Sequence, residues 1–160
     1  MVVDLEYGAA AAEEYGRRLD TDALRAFTPH PKQAEFYEDD DTREVHMLGA
    51  NRSGKTIALC ARAARLVRDG LARKLWIVSK TNAATRQNIF PYLAEWEGMA
   101  GPEAFIPKTE IARVRTVPDN EIQGKDGWSI VLKSCQQGAD TMAGAAVDEI
   151  LFDEPPDWAV

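Results

Sequence analysis

The chain has 160 residues, an apolar share of 45% and a formal charge of −7, values that suit one soluble globular domain able to bury a core. No apolar run approaches the roughly 20 residues of a membrane span, and the start Met1-Val2-Val3-Asp4-Leu5-Glu6 lacks the basic and apolar stretches of a signal peptide, so a cytosolic setting is expected. The acidic balance argues against a broad basic surface that coats nucleic acid. It leaves room for a protein that grips DNA through one local patch.

In chain order, residues 9–26 read as helical, with Tyr15 and Leu19 on one face and an Asp20-Thr21-Asp22 capping signal before Ala23, Leu24 and Phe27. Thr28-Pro29-His30-Pro31 breaks that helix, and residues 32–37 form a short one that ends in an acidic turn. Glu44-Val45-His46-Met47-Leu48 reads as a strand running into Gly49. From Gly54 the period becomes helical, placing Ile57, Cys60, Ala61, Ala64 and Val67 on one face, with Gly70 as the stop. Leu75-Trp76-Ile77-Val78 fits a buried parallel strand. Residues 83–97 look helical with Pro91 as a kink or a new start, and residues 98–107 look like a loop. Strands are expected over residues 111–117, 128–132 and 150–152. Alternation of strands and helices favours a mostly parallel sheet covered by helices, in one domain.

Arg62, Arg65, Arg68, Arg73 and Lys74 form the densest basic stretch. A solvated helix face is the expected reading, with phosphate-backbone contact as the alternative. Cys60 and Cys135 are expected as small buried hydrophobes rather than a disulfide or metal site. His30 and His46 have no Cys or His partner at ligand spacing, so no zinc is expected.

Gly49-Ala50-Asn51-Arg52-Ser53-Gly54-Lys55-Thr56 matches G-x-x-x-x-G-K-[ST] at every fixed position. Glycines let such a loop curl until successive backbone N–H groups point at phosphate oxygens, and the helix that follows adds the positive end of its dipole. Lys55 then faces the β- and γ-phosphates of ATP, and the Thr56 hydroxyl ligates Mg2+.

Such a loop needs an acidic partner on a neighbouring strand. The segment Val147-Asp148-Glu149-Ile150-Leu151-Phe152-Asp153-Glu154 offers two Asp-Glu pairs. The second pair is the better candidate, because Ile150-Leu151-Phe152 carries Asp153 to the carboxyl edge of the sheet, where α/β proteins bind ligands. Asp153 is expected to hold the metal and Glu154 to deprotonate the attacking water. Gln33 can donate and accept together, as an adenine edge requires. Arg52 could sense or brace the γ-phosphate.

Together, Pro31-Lys32-Gln33, the loop over residues 49–56 and the segment from Lys133 to Pro156 resemble the ATPase domain of the large terminase subunit, the DNA-packaging motor of tailed bacteriophages. The likeness covers roughly residues 28–158, poorly over 98–127. It implies an α/β P-loop NTPase of the additional-strand (ASCE) type, with residues 1–30 as a helical lead-in and 31–160 as the N-terminal part of the ATPase core. It also implies Gln33 on adenine, Arg52 in nucleotide sensing, Lys55 and Thr56 on phosphate and Mg2+, Asp153 on the metal and Glu154 as base. The implied partners are double-stranded DNA, the portal protein, the small terminase subunit and further copies in a ring, in the cytoplasm of an infected bacterial host.

Two departures stand out. Some terminases carry an Arg where this chain has Ala143, before Gly144, and Arg86 or Arg113 would have to replace it. The chain also stops at Val160, where the family continues with a coupling motif, further strands and a nuclease, so a fragment, a split product or a chain completed by a partner is expected. The rivals are a two-lobe helicase ATPase, a small-molecule or nucleotide kinase, and a nucleotide-binding module without turnover.

Overall fold

The computed structural model describes residues 22–42, 44–47, 49, 52–96, 103–116, 120–137 and 146–154. Most of the predicted helix over residues 9–26 lies outside these; its end is α1, Ala23–Ala26, capped by Asp22, whose carboxylate accepts from the Arg25 N–H. Helix α2, Pro31–Glu38, has proline in its first turn and a reciprocal cap. The His30 ring accepts from the Gln33 N–H, and the Gln33 side chain accepts from the His30 N–H. Helix α3, Lys55–Arg68, begins after Gly54 and stops where Gly70 turns left-handed, so that the Leu71 and Ala72 N–H groups return to the Leu66 carbonyl.

Strand β1, Lys74–Ser79, is buried on both faces beyond Lys74. The predicted helix over 83–97 is shorter and uneven: α4, Asn82–Ala84, then a π-helical turn, Thr85–Ile89, then α5, Phe90–Leu93. The widened turn sits directly before Pro91, which has no N–H and crowds the carbonyl of the turn behind it.

Four more strands follow: β2 Ile111–Arg115, β3 Asn120–Gly124, β4 Ser129–Ser134 and β5 Glu149–Asp153. The sheet order is β2-β3-β4-β1-β5, with β1 parallel to both β4 and β5, and β2, β3 and β4 joined antiparallel. The sheet is therefore mixed, which corrects the mostly parallel expectation. A parallel link needs a crossover of about a dozen residues. Only 116–119 separate β2 from β3 and 125–128 separate β3 from β4, so these strands must fold back as hairpins. Strand β3 escaped the sequence reading because Asn, Glu, Gln and Gly are poor strand formers and Ile122 is its only apolar member.

A second correction concerns residues 44–48. Glu44 to Met47 form no strand, and β5 is the edge of the described sheet, so no ladder reaches them. Apolar pattern alone does not make a strand; a neighbour must take its backbone hydrogen bonds. Val45 and Met47 pack against the core as half-buried side chains instead.

The core lies between α3 and one face of the sheet. Leu75 and Ile77 of β1, Ile130 and Leu132 of β4, Ile122 of β3 and Leu151 of β5 join Cys60, Ala61, Ala64 and Val67 of α3 in one cluster, closed by Ile89 and Leu93. Cys60 is buried and its thiol donates to the Ile89 carbonyl, at 3.7 Å. Burial, and to a lesser degree the charge of Asp153, pushes that thiol well above its usual range, which leaves it unreactive. Cys135 is half-buried, and both cysteines are free thiols.

The basic stretch of α3 corrects the reading of a solvated face. Arg62 is buried, donating to the Phe36 carbonyl and lying over the Phe36 ring. Arg65 pairs with Asp40 and donates to the Tyr37 carbonyl at 2.7 Å. Arg68 bridges Asp22 and Glu110, both at 2.8 Å. Charged side chains on this face meet carboxylates and helix-end carbonyls from elsewhere in the chain, so they tie α3 to the N-terminal helices and to the segment before β2 rather than face water.

Candidate active site

The site forms where the first turn of α3 meets the carboxyl end of β5. Gly54 has φ +76°, a left-handed conformation that an L side chain resists, and a Cβ there would stand 2.6 Å from Nε2 of Gln33. Gly49 is similarly confined, since a Cβ on it would lie 2.7 Å from the Ser53 hydroxyl. Arg52 is also left-handed, with φ +64°, and its side chain is exposed. Left-handed residues at 52 and 54 bend the chain sharply into the helix. Ala50 and Asn51 lie outside the described residues.

Lys55 and Thr56 occupy the first helical turn, where backbone N–H groups have no intrahelical acceptor and the dipole is positive. The Lys55 ammonium donates to the Gly49 carbonyl at 2.9 Å, folding back over the loop. The Thr56 hydroxyl donates to Oδ1 of Asp153 at 2.8 Å, across 97 positions of sequence. Register explains the meeting: Asp153 is the last residue of β5 and pairs with Ser79 at the carboxyl end of β1, while α3 packs on both strands.

A hydroxyl and a carboxylate side by side are hard oxygen donors of the kind Mg2+ takes. Their spacing is close to the roughly 3 Å that separates neighbouring ligands of an octahedral ion with bonds of about 2.1 Å. The residues fit the ion, directly or through its water.

The other acidic pair sits at the opposite edge of the sheet. Asp148 accepts from the Lys74 and Arg73 N–H groups at 2.8 and 2.7 Å, which holds its carboxyl below the usual range. Glu149 lies 3.5 Å from Arg62. Strand rise puts Asp148 about 16 Å from Asp153, too far to share one ion.

Glu154 follows Asp153 with φ +90° and an exposed side chain. For a non-glycine residue this backbone costs on the order of 1–3 kcal/mol. The turn carries the carboxylate out of the strand at the loop's side of the sheet.

Gln33 is 7% exposed and turned inward. Its Oε1 accepts from the His30 N–H at 3.1 Å and its Nε2 donates to the Gly54 carbonyl at 3.1 Å. His30, which the sequence reading set aside, places Nε2 3.4 Å from the Ser53 carbonyl. Its signal was the N-cap position three residues before Gln33, not metal-ligand spacing. Of the two arginines considered as substitutes at Ala143, Arg86 is exposed on the turn after β1, at the carboxyl edge that also holds Asp153. Arg113 is exposed on β2, about 19 Å across the sheet from β5 at ordinary strand spacing. Ala143 lies outside the described residues.

Residues 46–159, covering the loop, β5 and all that lies between, match the family model described as "Terminase large subunit, T4likevirus-type, N-terminal". The chain belongs to that family. Membership in the terminase large-subunit family points to a role in phage DNA packaging. The match begins at His46, so the terminase model covers the loop but not α2, which brings His30 and Gln33 to it. Comparison with curated proteins found no match, and neither did comparison with solved structures. Among the described residues, no helix of this terminase chain is long and apolar enough to cross a membrane.

Proposed function

We propose that this chain is the ATP-binding part of a packaging motor, an ASCE-type P-loop domain that hydrolyses ATP with Mg2+. The observation that carries the reading is the 2.8 Å contact between the Thr56 hydroxyl and Asp153. It brings a loop of phosphate-binding pattern and a strand-end carboxylate to one point, as magnesium–nucleotide chemistry requires. The N–H groups of the 49–56 loop and of the first turn of α3 surround the β- and γ-phosphates. Lys55 leaves the Gly49 carbonyl for those oxygens, and Arg52 braces the γ-phosphate. Thr56 and Asp153 hold the ion, which supplies charge neutralisation on the phosphates. Glu154 takes a proton from water as the water oxygen bonds to the γ-phosphorus and the bond to the β–γ bridging oxygen breaks, leaving ADP and phosphate. The work so released moves double-stranded DNA into a procapsid, with a ring of copies acting on the portal protein and the small terminase subunit, in the host cytoplasm.

A second reading, nucleotide binding without turnover, is favoured by Glu44 to Met47, which lead into the loop without joining the sheet. A loop not anchored by a strand can hold a ligand yet lack the rigidity that hydrolysis needs.

Nucleotide titration and phosphate release distinguish these readings. Lys55→Ala is expected to weaken MgATP binding at least ~30-fold, the loss of a charged phosphate contact of about 2 kcal/mol or more. Glu154→Ala is expected to keep binding and lower turnover about 10²–10⁴-fold, the usual contribution of a general base. Binding that survives Lys55→Ala unchanged would sink the site. Wild-type binding with no phosphate release would select the second reading.

A further inference from the structure

A chain of net charge −7 can hold a polyanion only where cations gather locally. On α3 that role is closed, because Arg62, Arg65 and Arg68 are engaged with carbonyls and carboxylates of the chain itself. Strand β2 offers a second group. Arg113 and Arg115 are both exposed there, while Ile111 is buried and Val114 half-buried. In a regular strand residues 111, 113 and 115 would share one face. A bulge prevents this: Ile111 stands opposite Gly124 and Arg113 opposite Gln123, so β2 advances two residues where β3 advances one. The bulge keeps Ile111 in the core and turns both arginines to the other face.

Strand pairing carries that face across the sheet. Arg113 lies opposite Gln123, Gln123 opposite Ser129, and Ser129 opposite Lys74. Ladder partners share a face, and the alternating Ile122, Ile130 and Leu75 join the core under α3. The result is a polar row about 14 Å long at ordinary strand spacing, on the side of the sheet away from α3. Arg115 stands about 7 Å from Arg113 along β2, opposite Glu121, which also accepts from the Gln123 amide at 3.0 Å. Arg115 and Glu121 are 3.6 Å apart and Arg115 is 45% exposed, so this is a surface pair worth little, which another anion can displace. At the other end of the row, Asp148 is taken up by the Arg73 and Lys74 N–H groups. Exposed Lys74, Arg113 and Arg115 thus face outward against one half-buried carboxylate.

We infer that this face of β1–β4 lies against the phosphate backbone of double-stranded DNA, with Arg113 and Arg115 as its principal contacts. This rests on the reading of the chain as part of a DNA motor, which supplies the anion. A duplex carries one charge per about 1.7 Å of axis, so a row of this length meets several phosphates. Contacts to phosphate carry no sequence information, as movement along DNA requires. Single strands are held by stacking bases on open aromatic rings. The aromatic beside the row, Trp76, is 6% exposed and has the Lys133 ammonium 5.3 Å from its ring centre, so no such platform is offered. Lys74 opens β1 and Ser79 closes it beside Asp153, so duplex and nucleotide sit about 16 Å apart, at opposite ends of one strand.

Fluorescence anisotropy of the 160-residue chain with a random-sequence duplex, over a series of KCl concentrations, tests this. Each phosphate contact removed lowers the slope of log affinity against log salt by about 0.9. Arg113→Gln with Arg115→Gln is therefore expected to lower the slope by about 1.8, and adding Lys74→Gln by about 0.9 more. Arg25→Gln with Lys32→Gln removes the same charge from exposed positions elsewhere and is expected to keep the wild-type slope. Matching melting temperatures show that the variants are folded. A slope unchanged by the β2 pair, or lowered equally by the control pair, would overturn the inference. So would tighter binding of a single strand of the same length, or no duplex binding by the wild type at low salt. MgATP titration on the same preparations is expected to give one affinity for all. Loss of MgATP binding in the β2 variant would assign Arg113 and Arg115 to the nucleotide site and overturn the inference. Duplex binding with the expected slope change, but no MgATP binding by the wild type, would overturn the nucleotide reading and leave this one standing.

Discussion

In its first turn α3 holds Lys55 and Thr56 half-buried beside left-handed loop backbone, while two turns on the same helix buries Arg62, pairs Arg65 with Asp40 and pins Arg68 between two carboxylates. Both regions are rich in donors; the sequence marked the first by its loop pattern but gave no sign that the arginines of the second are tethers. Lys55 meets a backbone carbonyl that phosphate oxygens can replace. Arg68 meets two carboxylates, and its pair with Asp22 has little access to water, both side chains being 13% exposed. Displacing such a partner would strand a charge away from water. A cation's role is thus set by whether the partner its helix face meets can be exchanged.

Substitutions on the two regions are expected to separate stability from function. The largest stability effect belongs to Arg68→Ala, which leaves Asp22 and Glu110 without their shared partner. Urea denaturation is expected to show a loss of about 2–3 kcal/mol, between the cost of a charged hydrogen bond and that of breaking a buried ion pair. A loss under 0.5 kcal/mol would place Arg68 with ordinary surface cations and erase the contrast.

On the other region, Glu154→Gly removes the side chain from a left-handed backbone. The structured protein is expected to gain about 1 kcal/mol, against the general rule that glycine destabilises, while phosphate release falls as in Glu154→Ala. Denaturation midpoint and phosphate release measured on the same preparation test this pair of opposite signs. A destabilised variant would remove the backbone strain from the account.

The smallest effect is on pH dependence. Hydrogen bonding to Arg68, opposed by burial, lowers the Asp22 carboxyl below its ordinary value, and Arg65 does the same for Asp40. A carboxyl with a depressed folded-state value contributes stability that is fully present above the unfolded value, about pH 4, and lost as pH falls through the folded one. Acid titration of wild-type stability should therefore slope downward below about pH 4, and Arg68→Ala should flatten the part due to Asp22. Equal slopes would mean that the pair forms no differential interaction in the folded state.

Much of the site was legible because its parts are local. A loop of eight residues, a helix opening at Lys55 and an apolar triplet before Asp153 are patterns within one element, and each depends on neighbours a few positions away. Strand β3 was not legible, because four of its five residues disfavour strands and its place comes from Glu121 and Ile122 lying opposite Val131 and Ile130. Over the described residues 44–47 the expected strand failed for the opposite reason: its pattern is good, and no described strand pairs with it.

By itself the sequence determined the loop, the helix behind it and the two acidic pairs from which the site draws, since backbone curvature and helical period are written in consecutive residues. Only the tertiary structure supplied the contact between the expected second pair and the loop. Asp153 reaches Thr56 because β5 lies parallel to β1 and ends beside Ser79, and α3 crosses both strands. The same packing turned three arginines into tethers and drew Gln33 onto Gly54. Contacts between residues far apart in sequence form only where burial of the core compensates for the entropy of closing the loop between them, and no local pattern carries that information.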